Sequence, residues 1–210
     1  MRLLANRKKQ RGFTTVEVMI AASVTTVFAG AFYGAFHVMN AGMWSSRVYF
    51  DTNNSVKVAM DRMARDVEEG IRVETQHDFG NGAQNTGTTT LILRLPSIDA
   101  TGTPTSISTN FDFVMYRFNA AYSTLRRSVD VLNGTSRNGG VDANEVVVAR
   151  NVNGIVFSNP ATNTNLGQEA AGTITAMHFL NVQVTAQGRT LNQNQSTMVD
   201  SDMMLRNNIN

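Results

Sequence analysis

The chain has 210 residues, enough for one medium-sized domain with a real core plus an extension. Only 16% of residues are charged, well below the usual figure of about a quarter, and the formal net charge of +2 is unevenly spread: residues 1–12 hold Arg2, Arg7, Lys8, Lys9 and Arg11 and no acid, leaving 13 basic against 16 acidic residues in the remainder. A basic tail beside an apolar segment reads as membrane topology, the acidic remainder argues against a nucleic-acid partner, and the absence of cysteine excludes structural disulfides, a lipoprotein anchor and thiolate metal sites.

The first element in chain order is a run of 19 uncharged residues, Val18 to Phe36, extended a little by His37-Val38-Met39. At ~1.5 Å per residue it spans roughly the ~30 Å hydrocarbon core. A backbone in lipid satisfies itself, which predicts helix. Five positive charges precede the run and only Arg47 appears in the dozen residues after Met39, so residues 1–12 are expected in the cytoplasm and the body outside. The run is too long for an ordinary secretory signal, and Met39-Asn40-Ala41 fits a small-residue cleavage site poorly. A plain signal anchor fits the hydropathy but leaves Glu17 unexplained, an acid one turn inside an apolar helix where a mid-bilayer carboxylate costs ~3 kcal/mol. Ala22, Thr26, Gly30 and Gly34 recur every four residues, a small-residue stripe of the kind that lets helices approach closely in lipid.

The segment Arg11-Gly12-Phe13-Thr14-Thr15-Val16-Glu17 resembles the processing site of type IV pilin-like proteins. It is similar to the Gly-Phe-Thr-Leu-x-Glu of many members, with Thr15-Val16 as a mild departure. The resemblance implies cleavage between Gly12 and Phe13 by prepilin peptidase, followed by N-methylation of Phe13. The freed α-amine, with a pKa of ~7.7–8.0, is positive at neutral pH. It implies further that Glu17 pairs with the Phe13 amine of a neighbouring subunit, since a buried charge is tolerable only with its partner. Many pilins carry a proline at the place of Gly34; without it the kink is not carried over as it stands, and Gly30 and Gly34 leave local melting of the helix open.

Beyond the apolar run the helical period continues. Val56, Met60, Met63, Val67 and Ile71 share one face, expected to be core, and Asp61–Arg65, Arg62–Asp66 and Glu68–Arg72 are spaced as i,i+4 ion pairs. One helix is expected from about Phe13 to about Val73, ~90 Å long, softened near Gly42 or Asn53-Asn54.

Residues 76–87 are loop formers. Short β-prone runs follow: Thr89–Leu95, Phe111–Phe118, Ser123–Val129, Glu145–Ala149, Gly154–Phe157, Met177–Ala186 and Met198–Arg206, with long loops at 96–110, 133–144 and 158–172. A helix followed by six or seven strands argues an α+β unit, a long N-terminal helix packed on a C-terminal antiparallel β-sheet domain. Within that body, Met115-Tyr116-Arg117-Phe118 with Leu125-Arg126-Arg127-Ser128-Val129 is similar to paired strands of J-type minor pseudopilins of type II secretion and of minor pilins. The runs Val147 to Phe157 and Met204 to Asn208 are similar to the segments that follow in that group. Four regions are therefore expected: a cytoplasmic leader over 1–12, a transmembrane and assembly half-helix over 13–39, an amphipathic soluble half over 40–75, and a periplasmic β-rich domain over 76–210.

Chemistry is sparse. His37, His77 and His178 share no ligand spacing, and there is no nucleophile elbow or phosphate loop. Asp142, Asn144 and Glu145 offer oxygen ligands for calcium, but a solvated loop is the preferred reading. Arg126-Arg127 with Tyr122 is a weak candidate for touching DNA. No enzyme activity, metal or cofactor is expected. The expected partners are prepilin peptidase, other pilin or pseudopilin subunits, inner-membrane lipid and the inner-membrane assembly platform. The resemblance favours a minor pilin or pseudopilin. The alternatives are a single-span periplasmic module or enzyme with an uncleaved anchor, and a major pilin.

Overall fold

A computed structural model describes residues 13–80, 82–98, 101, 103, 110–131, 145–189 and 194–205. By its contacts the chain divides into two units, Met1–Ser46 and Arg47–Asn210. A single α-helix, α1 (Thr15–Glu69), runs through the boundary without interruption at Gly42 or Asn53-Asn54. It ends four residues before the expected Val73. The Gly70 amide bonds the Val67 carbonyl at 3.0 Å, and the Ile71 amide already pairs with the Arg94 carbonyl at 2.8 Å, so the next residues belong to a sheet. Ile71 therefore lies beyond the helix whose apolar face it was expected to extend.

The second unit is all antiparallel. Its strands are β1 (Arg72–Val73), β2 (Gln76–Asp78), β3 (Ala83–Asn85), β4 (Thr90–Pro96), β5 (Phe111–Asn119), β6 (Thr124–Asp130), β7 (Val146–Arg150), β8 (Val152–Asn159), β9 (Thr164–Asn165), β10 (Phe179–Arg189) and β11 (Asn194–Met204), with a short helix α2 (Ala171–Thr175) before β10. All seven expected strands are present. They divide between a five-stranded sheet, in the order β1-β4-β5-β6-β7, and a four-stranded sheet, in the order β11-β10-β8-β9. The chain passes from one to the other at Asn151, which adopts the left-handed conformation (φ 59°) that asparagine tolerates better than most residues.

Three expectations are corrected. Residues 76–87 are not simple loop, because β2 and β3 pair within them as a hairpin, supported at Asp78, whose Oδ1 accepts from the Gly80 and Gly82 amides. Both glycines have positive φ, 85° and 91°, a conformation open to residues without Cβ. The stretch 158–172 holds the end of β8, all of β9 and a 3-10 turn at Leu166–Gln168. His178 falls at a bend just before β10, not in it. Most of 96–110 and all of 133–144 lie outside the described residues, as does Arg206 of the last expected strand.

One core joins the outer half of α1 to both large sheets. Val56, Ala59, Met60, Met63 and Val67 are buried against Leu91, Leu93 and Leu95 of β4, Val114 and Tyr116 of β5, Leu125 of β6, Phe157 of β8 and Leu180, Val182 and Val184 of β10. The alternation of the strand residues is the pleat expressed as burial. The Met-rich stripe is core, as its spacing predicts. Two packing points are tight. A Cβ on Gly188 would stand 2.8 Å from Val48 Cγ1, and one on Gly167 would stand 2.7 Å from Thr88 Oγ1 and 3.1 Å from the Thr88 amide nitrogen.

A buried ionic group sets the helix on the five-stranded sheet. Asp66 of α1 accepts from Arg127 on β6, at 2.7 Å (Nε) and 3.1 Å (Nη2), and from the Tyr116 hydroxyl on β5 at 2.5 Å. Asp66 and Arg127 are each 7% exposed and Tyr116 is sealed. Asp66 thus turns inward, away from its expected partner Arg62. Arg72 pairs with Glu74 instead of Glu68, and no ion pair joins Asp61 to Arg65 among the described residues. Burial, with the Asp66 charge beside it, pushes the Tyr116 phenol well above its ordinary value. Burial works against the Arg127 charge, but the hydrogen bonds and charge of Asp66 outweigh it and raise the guanidinium above its usual value.

Three measurements check this packing. Gly167→Ala should cost about 1–3 kcal/mol in urea unfolding of the full-length chain in detergent, because the added methyl meets backbone. Asp66→Ala should cost about 3–5 kcal/mol by leaving Arg127 buried and unpaired, and adding Arg127→Met should restore most of that loss. The Tyr116 phenol is raised above an unfolded value of about 10, so its contribution is intact below that pH and lost as pH rises beyond it. The parent chain should lose up to ~1.4 kcal/mol per pH unit above pH ~10 relative to Tyr116→Phe, and the two curves should run parallel below it.

Candidate functional site

The candidate site is the start of α1. Gly12 and the basic residues before it lie outside the described residues. Phe13 opens the described chain and is 87% exposed. Thr14 and Glu17 close a reciprocal cap: the Thr14 amide and hydroxyl both lie within bonding distance of Glu17 Oε2, at 2.9 and 3.0 Å, and the Glu17 amide donates back to Thr14 Oγ1 at 3.3 Å. Two helix-end groups with no intrahelical partner are thereby satisfied by one threonine and one glutamate three residues apart. The sequence spells this capping box as Thr-x-x-Glu before an apolar run, and reading Glu17 only as a membrane charge passed over it. The carboxylate also lies where the positive end of the helix dipole favours a negative charge.

From this cap to Met39 the side chains of α1 are exposed. Val16, Met19, Ile20, Val27, Phe28, Phe32, Phe36 and Met39 are all exposed, and none of the apolar window long enough to cross a membrane is buried. Ala22, Thr26, Gly30 and Gly34 lie along α1 at intervals of four, every one exposed. A Cβ on Gly30 or Gly34 would meet nothing within 4 Å, and both glycines stay in regular helix. The polar side chains of the run are satisfied internally. Ser23 donates to the Met19 carbonyl (2.9 Å), Thr25 to Ala21 (2.7 Å) and Thr26 to Ala22 (2.8 Å), which is how hydroxyls avoid carrying an open hydrogen-bonding group into hydrocarbon. His37 packs edge-on against Tyr33, with ring centroids 4.5 Å apart.

In the body, the residues weighed for chemistry are tied into structure. Glu145 is gripped by Arg117 and, at 2.9 Å, by Arg126, whose guanidinium carbon lies 5.5 Å from the Tyr122 ring centre. Asp142 and Asn144 fall outside the described residues, and Glu145 faces two cations. Arg127 is buried on Asp66, so the Arg126-Arg127 pair does not form a surface for DNA. His77 approaches Asp130 Oδ2 at 2.7 Å, stacks on Phe113 at 3.6 Å and meets Phe79 edge-on at 4.9 Å. With Ile92 and Met115 these aromatic residues pin the β2–β3 hairpin over the outer face of the five-stranded sheet. Among the described residues, no group of three His, Asp or Glu side chains is placed to hold a metal ion.

Thr14→Val should unpick the cap. The expected result is a loss of about 0.5–2 kcal/mol confined to the first turn, read as faster amide exchange at residues 15–18 with no change beyond Val24.

No curated protein matches the chain. Residues 7–33 match the prokaryotic N-terminal methylation motif, which covers the leader end, the Thr14–Glu17 cap and most of the exposed apolar run. That motif on a membrane-length helix supports a type IV pilin-like precursor, a structural subunit anchored in a membrane, processed by prepilin peptidase and assembled with other pilins.

Proposed function

We propose that the chain is a minor pilin or pseudopilin, cut by prepilin peptidase between Gly12 and Phe13, N-methylated at Phe13, and assembled into a type IV pilus or a type II secretion pseudopilus in a priming or tip role. The observation that carries this reading is the methylation motif set on an exposed apolar half-helix with an acid in its first turn. Residues 1–12 form the cytoplasmic leader, 13–39 the membrane and assembly segment, 40–69 the soluble continuation of the helix and the residues from 70 on the periplasmic domain. The inner-membrane assembly platform extracts the processed subunit.

Glu17 is the registration point. Its bonds to Thr14 use neutral donors and engage Oε2, so the carboxylate keeps its charge and an oxygen for a second partner. The Phe13 amine freed on a neighbouring subunit supplies that partner, and in a low-dielectric filament core removing either group strands the other. The stripe Ala22, Thr26, Gly30 and Gly34 provides the close approach between neighbouring helices. The small side chains leave room for a partner backbone, and the open space at Gly30 and Gly34 is consistent with that use.

Coexpression with a prepilin peptidase and mass analysis of the product tests the reading. Chains beginning at methylated Phe13 are expected, and Glu17→Ala should leave cleavage intact while depleting filaments by roughly tenfold or more, since the stranded amine costs several kcal/mol. Recovery of chains that all begin at Met1 would favour a single-span anchor and defeat the proposal.

A further inference from the structure

The two large sheets have four outer strands, and three are short or guarded. β1 and β9 have two residues each. β7 has five, its register with β6 slips at Leu125/Arg126, and its Arg150 amide donates to Ser55 Oγ at 3.1 Å. β11 differs. It runs for 11 residues in unbroken register with β10, from Phe179↔Met204 to Arg189↔Asn194, and has no strand on its other side among the described residues. A long, regular edge of unpaired amides and carbonyls is a template for one more strand. Beside it opens a groove of about 610 Å³, walled by Ala64 and Glu68 of α1 and by Ser201 to Met204. Met203 lies at its base, 5% exposed, and Met204 at its rim, 61% exposed. The charged residues lining it are Glu68 and Asp202. Asp200 stands two residues along the same face of β11, and Asn181 Nδ2 donates to both aspartates, at 2.7 and 2.9 Å, holding them side by side.

We propose that the free edge of β11 takes an added strand from a different polypeptide, an extended segment with basic side chains at alternate positions and small or apolar ones between. The alternation follows from the pleat. Outer-face side chains of the added strand come beside Asp200 and Asp202, and inner-face ones come against Ala64 and Met203. A second copy of β11 is the wrong occupant, because antiparallel pairing about Ser201 sets Asp200 of one copy opposite Asp202 of the other. The inference concerns the second unit alone and does not depend on processing of the N-terminus.

The test uses the full-length chain in detergent, the peptide Lys-Val-Lys-Val-Lys-Val-Lys, and a blocked peptide of the same composition, Val-Val-Val-Lys-Lys-Lys-Lys. The alternating peptide should slow amide exchange over residues 196–204 by roughly tenfold or more, and the blocked peptide should not. Asp200→Asn with Asp202→Asn keeps the acceptors for Asn181 and should weaken binding of the alternating peptide by roughly fivefold. Should that variant fold poorly, the comparison of peptides on the unaltered chain still decides. Equal protection by both peptides, or by neither, overturns the proposal. So does protection in the free chain that rises with its own concentration, which would name a second copy as the occupant.

Discussion

The body of this protein is organised by one buried charge pair. Asp66 and Arg127 are 61 residues apart in sequence, and their contact, with Tyr116 as a third member, allows a single rotation and height of α1 on the five-stranded sheet. Apolar packing alone is permissive, since a Met-rich face can slide over a surface of leucines and valines at little cost. A carboxylate and a guanidinium sealed from water are not permissive, because any displacement leaves two uncompensated charges. The hydrophobic stripe therefore supplies the attraction, and the ionic group supplies the address. The tight approach of Gly188 to Val48 of α1 belongs to the same placement of the helix.

How far the sequence announces this depends on the range of each interaction. The helix is legible because its period is local, and seven strands are legible because alternation and breakers are local. What escapes is set by distant partners. Asp66 reads as half of an i,i+4 pair with Arg62, a sound inference for an exposed helix, yet burial against Arg127 offers it a stronger partner. The helix stops at Glu69, where Gly70 follows and Ile71 finds the Arg94 carbonyl; the glycine just past the end is a local stop signal that the long period overrode, while the Arg94 partner is distant. The strands β1, β2, β3 and β9 are two or three residues long, too short to show a period, and the division of the strands into two sheets turns on a single left-handed residue, Asn151.

The start of α1 shows the opposite balance. Glu17 is conspicuous in the sequence as an acid in an apolar run, and the functional expectation attached to it is a partner on another chain. The structure adds a partner on its own chain, Thr14, through bonds that were available to pattern reading. The two roles are compatible because they draw on different properties of one carboxylate. Capping uses its geometry and neutral donors, while the proposed pairing between subunits would use its charge. A residue that secures the first turn is held in a fixed position and so presents that charge in a defined place.

The hydroxyls of Ser23, Thr25 and Thr26 carry a consequence for movement. Each is bonded to a carbonyl one turn back in its own helix, so none depends on a neighbour. A rod built this way can be drawn out of fluid acyl chains and packed among other rods without exchanging a single side-chain hydrogen bond of that trio. Its polar inventory travels with it, and the energetic difference between the two surroundings is left to shape and to the ends.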